Sequence, residues 1–168
     1  KGLDLIKYVF EDIIRLGCKF AILGSGEKIY EDFFSEMHYR YPDRVGLTIG
    51  FVPELSKKIY AGADMFLMPS QSEPCGLAQM IALRYGTIPI VRETGGLRDS
   101  IHDAGDKNGN GFTFKSYNAH DMLDAVVRAR AYYDDKMKWG RLVNTALKQN
   151  FSWTKSAKDY IALYNDIH

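Results

Sequence analysis

Met65-Phe66-Leu67-Met68-Pro69-Ser70-Gln71-Ser72-Glu73-Pro74-Cys75-Gly76-Leu77-Ala78 reads as a short apolar strand, a polar turn with one carboxylate, and a glycine opening a helix over 77–85. In an open α/β sheet, ligands collect beyond the carboxyl ends of the strands. A helix that begins there points its free backbone N–H groups and the positive end of its dipole at whatever binds. Gly76, with no Cβ, lets a ligand approach the backbone closely. Glu73 lies just ahead of those amides, so hydroxyl acceptors stand beside an anion cradle. A turn that grips hydroxyls and phosphate together suits a sugar nucleotide. A plainer reading stands beside this one, because a carboxylate near a helix start is favoured electrostatically without any ligand. The Cys75 thiol has no His or Asp nearby in the sequence to activate it, which argues against a nucleophile.

Outward from this turn, strand and helix signals alternate. Leu3, Ile6, Phe10, Ile13 and Ile14 recur at helical spacing up to Gly17, a C-terminal stop. An apolar strand over 19–23 ends at Gly24-Ser25-Gly26, and a helix over 28–41 stops at Pro42. Strands are expected over 45–51, 65–68 and 88–91, with a short helix over 54–61. A glycine-rich loop then leads to a strand over 111–114, and helices over 119–133, 135–149 and 154–166 follow. The alternation predicts an α/β fold with a parallel sheet covered on both faces.

The chain has 168 residues, near the usual size of one domain and enough to bury a good core. Its net charge of +1, without a basic run, gives no argument for nucleic acid as a partner. No apolar stretch approaches the roughly 20 residues a membrane helix needs, and no signal peptide opens the chain. Cys18 and Cys75 are too few for a disulfide framework, which favours a reducing compartment. The four histidines are scattered and no D-x-D pair occurs, so neither metal nor cofactor is expected. Gly24-Ser25-Gly26 follows a strand, where a nucleotide loop belongs. The dinucleotide fingerprint wants a third glycine where Ile29 stands, which disfavours NAD.

Glu73-Pro74-Cys75-Gly76-Leu77, residues 83–92 (LRYGTIPIVR) and Thr94-Gly95-Gly96-Leu97-Arg98-Asp99-Ser100 together resemble the bacterial glycogen (starch) synthases. These are retaining glucosyltransferases built from two facing Rossmann-like domains, the GT-B architecture. The resemblance runs from Lys1-Gly2-Leu3-Asp4-Leu5 to Phe151-Ser152-Trp153 and the segment from Tyr160 to Tyr164, and it is to the C-terminal, donor-binding half only. It implies a Rossmann-like, doubly wound parallel sheet over 1–168, a single nucleotide-sugar-binding domain read as a fragment whose N-terminal acceptor domain lies elsewhere. The implied whole enzyme transfers glucose from ADP-glucose to the non-reducing end of an α-1,4-glucan in the bacterial cytoplasm. The nearest alternative is a retaining GT-B transferase with another donor or acceptor. A non-catalytic nucleotide-binding module is the alternative from a different class.

The resemblance also implies roles. Glu73 contacts hydroxyls of the donor glucose as the catalytic residue. Gly76, Leu77 and Ala78, reached through Cys75, give backbone amides to the donor phosphates, which Lys1 also reaches. Phe51 lies against the adenine or, on pattern alone, in the core. Gly24, Ser25 and Gly26 form a nucleotide loop or a plain turn, and Gly95 and Gly96 a loop close to the donor. Ala78 stands where relatives carry a hydroxyl. Ile81 replaces the second acid of the wider E-x7-E pattern and is expected in the core. The segment from Phe151 to Tyr164 crosses to the other domain or packs on this domain's sheet. A strand immediately before Lys1 is implied in the middle of the sheet, so residues from Lys1 onward are expected to leave a gap or borrow a strand from elsewhere, with association or marginal stability unless further residues precede them, and to transfer no glucose alone. A β-branched residue at Gly76 is expected to block the phosphates without unfolding the domain.

Overall fold

Helices and strands alternate in the computed structural model, which describes residues 1–167. They run α1 (Leu3–Arg15), β1 (Phe20–Gly24), α2 (Lys28–Arg40), β2 (Val45–Ile49), α3 (Pro53–Gly62), β3 (Met65–Met68) and α4 (Ala78–Tyr85). Then follow β4 (Ile88–Arg92), α5 (Gly95–Ser100), β5 (Phe112–Phe114), α6 (Ala119–Asp134), α7 (Lys136–Leu147) and α8 (Trp153–Ile167). Every strand pairing is parallel, β1 with β2, β3 with β4 and β4 with β5. Parallel strands need crossover helices, which here supply the layers that bury the apolar strands.

The strands divide into β1-β2 and β3-β4-β5. Between the free edges of β1 and β3 lies a cleft of about 740 Å³, lined by residues 20–23 and 65–67 and by side chains of α1 and α3. This is the expected interruption of the sheet. It explains why β3, apolar at every position, is only half-buried, whereas residues 88–91 of β4, flanked on both sides, are buried.

Apolar periodicity places the rest. Phe10 of α1 stacks on Phe20 of β1 at 4.2 Å and meets Phe33 of α2 edge-on at 5.6 Å, joining these elements in one aromatic cluster. Leu83, Ile88, Ile90, Leu97, Ile101 and Met122 fill the core around β4. Asn118 caps α6, its side chain accepting from the N–H groups of His120 and Asp121.

Two expectations are corrected, and one of two open readings is set aside. The stretch after Thr94 is not a loop but begins as helix α5, because Leu97 and Ser100, three apart, are both buried and hold one helical face inward. Ile81 is 41% exposed rather than core. The inward face of α4 is set by Gln79, Ala82 and Leu83, and Ile81 points the other way. Helix α8 does not pack on this sheet. It buries no residue, and Trp153, Tyr160 and Tyr164 are exposed.

Candidate functional site

Within each sheet the parallel strands put the segments that follow them at one end, those after β1 and β2 together and those after β3 and β4 together. Those segments contain Gly24-Ser25-Gly26, Phe51, the turn from Ser70 to Gly76, and Gly95-Gly96. Such an end is where α/β sheets bind ligands.

The turn after β3 begins with Pro69 and Ser70, both buried. Ser70 Oγ donates to Glu73 Oε2 at 3.3 Å, and Lys1 Nζ donates to the same oxygen at 2.6 Å. The Glu73 side chain is 11% exposed, the Lys1 side chain 69%. The Lys1 hydrogen bond holds the Glu73 carboxyl below the usual glutamate range; burial opposes this, while the charge of Lys1 and the Ser70 hydroxyl assist. Lys1 arrives there through Gly2, which has φ 80° and lies so close to Pro69 that a Cβ would fall 2.1 Å from its carbonyl oxygen. Only glycine fits that approach.

Helix α4 starts at Ala78 with Leu77 as N-cap and no side-chain cap. The first helical bond runs from Ile81 N–H to Leu77 O at 2.9 Å, so the amides of residues 77–80 have no acceptor within the helix. These and the helix dipole make an anion-binding end. Leu77 is 67% exposed, in keeping with a backbone role.

Gly76 has φ 73°, and a Cβ there would meet Gln79 Oε1 at 2.5 Å. The backbone and Gln79 therefore require glycine before any ligand does. Gly76→Val would therefore strain the turn itself as well as obstruct a ligand. Gln79 is fully buried, and its Nε2 donates to Cys75 O at 3.1 Å, Gly76 O at 2.9 Å and Ser100 Oγ at 3.1 Å. Ser100 Oγ donates in turn to Gly96 O at 2.6 Å. Gly96 N–H donates to Glu73 O at 3.1 Å, and a Cβ on Gly96 would fall 2.2 Å from Cys75 O. The start of α5 thus packs backbone to backbone against the turn. Cys75 contributes its carbonyl, and its thiol is exposed and free.

Lys1, Glu73, Cys75, Gly76, Leu77, Ala78, Gly95 and Gly96 therefore form one connected cluster. Gly24, Ser25, Gly26 and Phe51 belong to the carboxyl ends of β1 and β2, in the other sheet, and no hydrogen bond among the described residues joins them to that cluster. Gly26 N–H donates to Glu31 Oε1 at 2.9 Å, which closes the loop onto α2. Phe51 is 90% exposed, which excludes the core alternative and leaves a flat apolar face open to solvent.

Sequence reading alone passes over Gly2, Ser70, Gln79 and Arg92. Arg92, at the end of β4, donates from Nε to Ser70 O at 3.0 Å, from Nη1 to Lys115 O at 3.4 Å and from Nη2 to Gln71 O. The one available signal is a charge ending an otherwise apolar strand, Ile88-Pro89-Ile90-Val91-Arg92. Among the described residues, no group of three His, Cys, Asp or Glu is gathered as for a metal ion. Among the described residues, no helix is long and apolar enough to cross a membrane.

The family described as "Glycosyl transferases group 1" matches residues 1–141. The glycogen synthase of Anoxybacillus flavithermus is 53% identical over 99% of this chain and 35% of its own length. That of Desulforudis audaxviator is 51% identical over 99% of this chain and 34% of its own. The chain spans about a third of the length of these curated relatives. Among solved structures, the catalytic domain of starch synthase IV from Arabidopsis thaliana, bound to ADP and acarbose, superposes with a TM-score of 0.87 at 39% identity. The match covers 99% of this chain and 36% of that one. A sucrose-phosphate synthase from Thermosynechococcus elongatus shares the fold at 21% identity and TM-score 0.60, over 87% of this chain and 38% of that one.

Proposed function

This chain belongs to the group 1 glycosyl transferases, and from that membership we propose that it is the donor-binding domain of a glycogen synthase. Its fold is the Rossmann-like half of the GT-B architecture. In this reading, residues 1–168 are a single nucleotide-sugar-binding unit of a retaining enzyme. That enzyme moves glucose from ADP-glucose to the non-reducing end of an α-1,4-glucan in the bacterial cytoplasm, and a facing domain holds the acceptor.

One observation carries the reading. A largely buried, ionised carboxylate stands ahead of an uncapped helix end, with an ammonium bonded to it, at the carboxyl edge of a parallel sheet. Glu73 accepts hydrogen bonds from the donor glucose hydroxyls, which take the place of Lys1. The released Lys1 and the amides after Gly76 hold the diphosphate and stabilise its charge as it leaves. Gly24-Ser25-Gly26 borders the nucleotide, and Phe51 lies against its base. Helix α8, with its exposed aromatic residues, contacts the facing domain.

The test is a chimera in which this chain replaces the corresponding third of the Anoxybacillus enzyme. We expect it to transfer labelled glucose from ADP-glucose to glycogen, faster than from UDP-glucose, and Glu73→Ala to abolish most of that transfer. The 168-residue chain alone should transfer none, because a closed, water-poor cleft needs both walls. A folded chimera that binds ADP-glucose but extends no glucan would instead make the chain a nucleotide-binding module. Transfer from a different sugar nucleotide would reassign the donor.

A further inference from the structure

The first half of the turn carrying Glu73 is held by one long side chain. The Arg92 guanidinium faces three carbonyl oxygens, those of Ser70, Gln71 and Lys115. Among the described residues it forms no ion pair. A planar fork of donors can hold several carbonyls at once, which a lysine ammonium or a neutral side chain cannot do in the same geometry. The path from this fork to the site is short. Arg92 Nε donates to the carbonyl of Ser70, and the hydroxyl of the same buried Ser70 donates to Glu73 Oε2 at 3.3 Å.

The other partner of Glu73 is tied to Arg92 as well. The guanidinium lies 5.7 Å from the ring centroid of Tyr117, whose hydroxyl donates to Asp4 Oδ1 at 2.6 Å. Burial, and then that carboxylate, push the Tyr117 phenol up to about 12, so it stays a donor throughout the physiological range. Asp4 lies in the first turn of α1, next to the segment that brings Lys1 to Glu73. The helix-end amides are braced by Gln79 and Ser100 instead, which meet Glu73 only at its backbone carbonyl, through Gly96 N–H.

We propose that Arg92 is a positioning residue, which fixes the Glu73 carboxylate and Lys1 for the sugar end of the donor while the phosphate-binding amides are held by other side chains, Gln79 and Ser100. The inference rests on the sugar-holding role given to Glu73 above. It predicts a division of labour that a general stabilising role would not produce. Loss of Arg92 should remove discrimination for the glucosyl group and leave the nucleotide diphosphate bound.

The test titrates the 168-residue chain with ADP and with ADP-glucose by calorimetry, for wild type, Glu73→Ala, Arg92→Met and Arg92→Lys. Thermal unfolding is followed alongside. For wild type, ADP-glucose should bind more tightly than ADP by a margin that Glu73→Ala removes. Arg92→Met should cut that margin about tenfold, as expected for a misplaced charged acceptor, and change ADP affinity by less than about twofold. Arg92→Lys, which keeps the cation beside Tyr117 and one donor, should recover part of the margin, and it carries the test if Arg92→Met fails to fold. Parallel loss of ADP and ADP-glucose binding, or an unchanged margin, overturns the proposal while leaving Glu73's role intact. A wild-type margin that Glu73→Ala does not touch overturns the Glu73 reading, and this inference with it.

Discussion

Replacing Glu73 with alanine should separate the two halves of the donor. In the free chain the carboxylate accepts from Lys1 Nζ at 2.6 Å and from Ser70 Oγ at 3.3 Å. The stability at stake is small. Lys1 is 69% exposed, so its ion pair is worth at most about 1 kcal/mol after screening. The buried Ser70 hydroxyl loses a partner worth about 1 kcal/mol. Together these lower the melting temperature by roughly 2–8 °C for a domain of this size. Binding should respond more sharply. Each hydrogen bond from a sugar hydroxyl to a carboxylate contributes about 1.5–3 kcal/mol, so losing even one weakens ADP-glucose about ten- to hundredfold. ADP presents no glucosyl hydroxyls, and the freed Lys1 ammonium is no longer held away from its phosphates. ADP affinity should therefore be unchanged or slightly higher. Calorimetric titration of both ligands into wild type and variant, with melting curves, measures each term. Equal weakening of ADP and ADP-glucose would refute the assignment of Glu73 to the sugar.

Gly76→Val should lower both the melting temperature and ADP affinity, because a φ of 73° strains any Cβ-bearing residue by about 1–3 kcal/mol and Gln79 Oε1 stands 2.5 Å away; a variant that melts like wild type would contradict this. Phe51→Ala should leave the melting temperature unchanged, since the ring is 90% exposed, and weaken ADP about two- to tenfold if the ring stacks on the base; unaltered ADP affinity would remove Phe51 from the site. The pH dependence follows from the depressed Glu73 value: its ionised form is fully present above the ordinary glutamate range and is lost only as pH falls through the lower folded value. The preference for ADP-glucose over ADP should accordingly stay level down to that range and then decline, with the decline absent in Glu73→Gln.

The strand, turn and helix around Glu73 were legible because each is a local pattern. An apolar run, a polar turn and a glycine are all read within one window, and the ends of α4 and β3 fall within a residue of expectation. Features that depend on distant neighbours were not legible. The half-burial of β3 follows from the cleft beside β1, which no property of Met65-Phe66-Leu67-Met68 encodes. Helix α5 hid behind Gly95-Gly96, because its stability comes from burying Leu97 and Ser100 rather than from propensity. Ile81 looked like core because apolar character does not say which side of α4 faces inward. At Gly76 the sequence does not disclose the positive φ of 73° or the buried Gln79 side chain beneath it, which call for glycine in addition to any ligand.

The same contrast explains how one short turn can serve two chemistries. Hydroxyl recognition needs a fixed acceptor with negative charge, whereas phosphate recognition needs donors and positive potential. Placed together without separation, the carboxylate would repel the anion. Here the carboxylate is neutralised by Lys1 and supported by Ser70, whose carbonyl Arg92 holds, while the amides beyond Gly76 are braced by Gln79 and Ser100. The two supports share no side chain. Lys1 alone belongs to both halves, as the cation that offsets Glu73 in the free chain and the one available to the phosphates when sugar hydroxyls replace it. An ion pair exposed on the Lys1 side costs at most about 1 kcal/mol to break. That is less than a single hydroxyl-to-carboxylate bond contributes, so the exchange runs downhill for a ligand that carries both groups. A bare diphosphate brings no hydroxyl to replace the ammonium, and it must leave the pair intact or leave Glu73 unpartnered by the sugar.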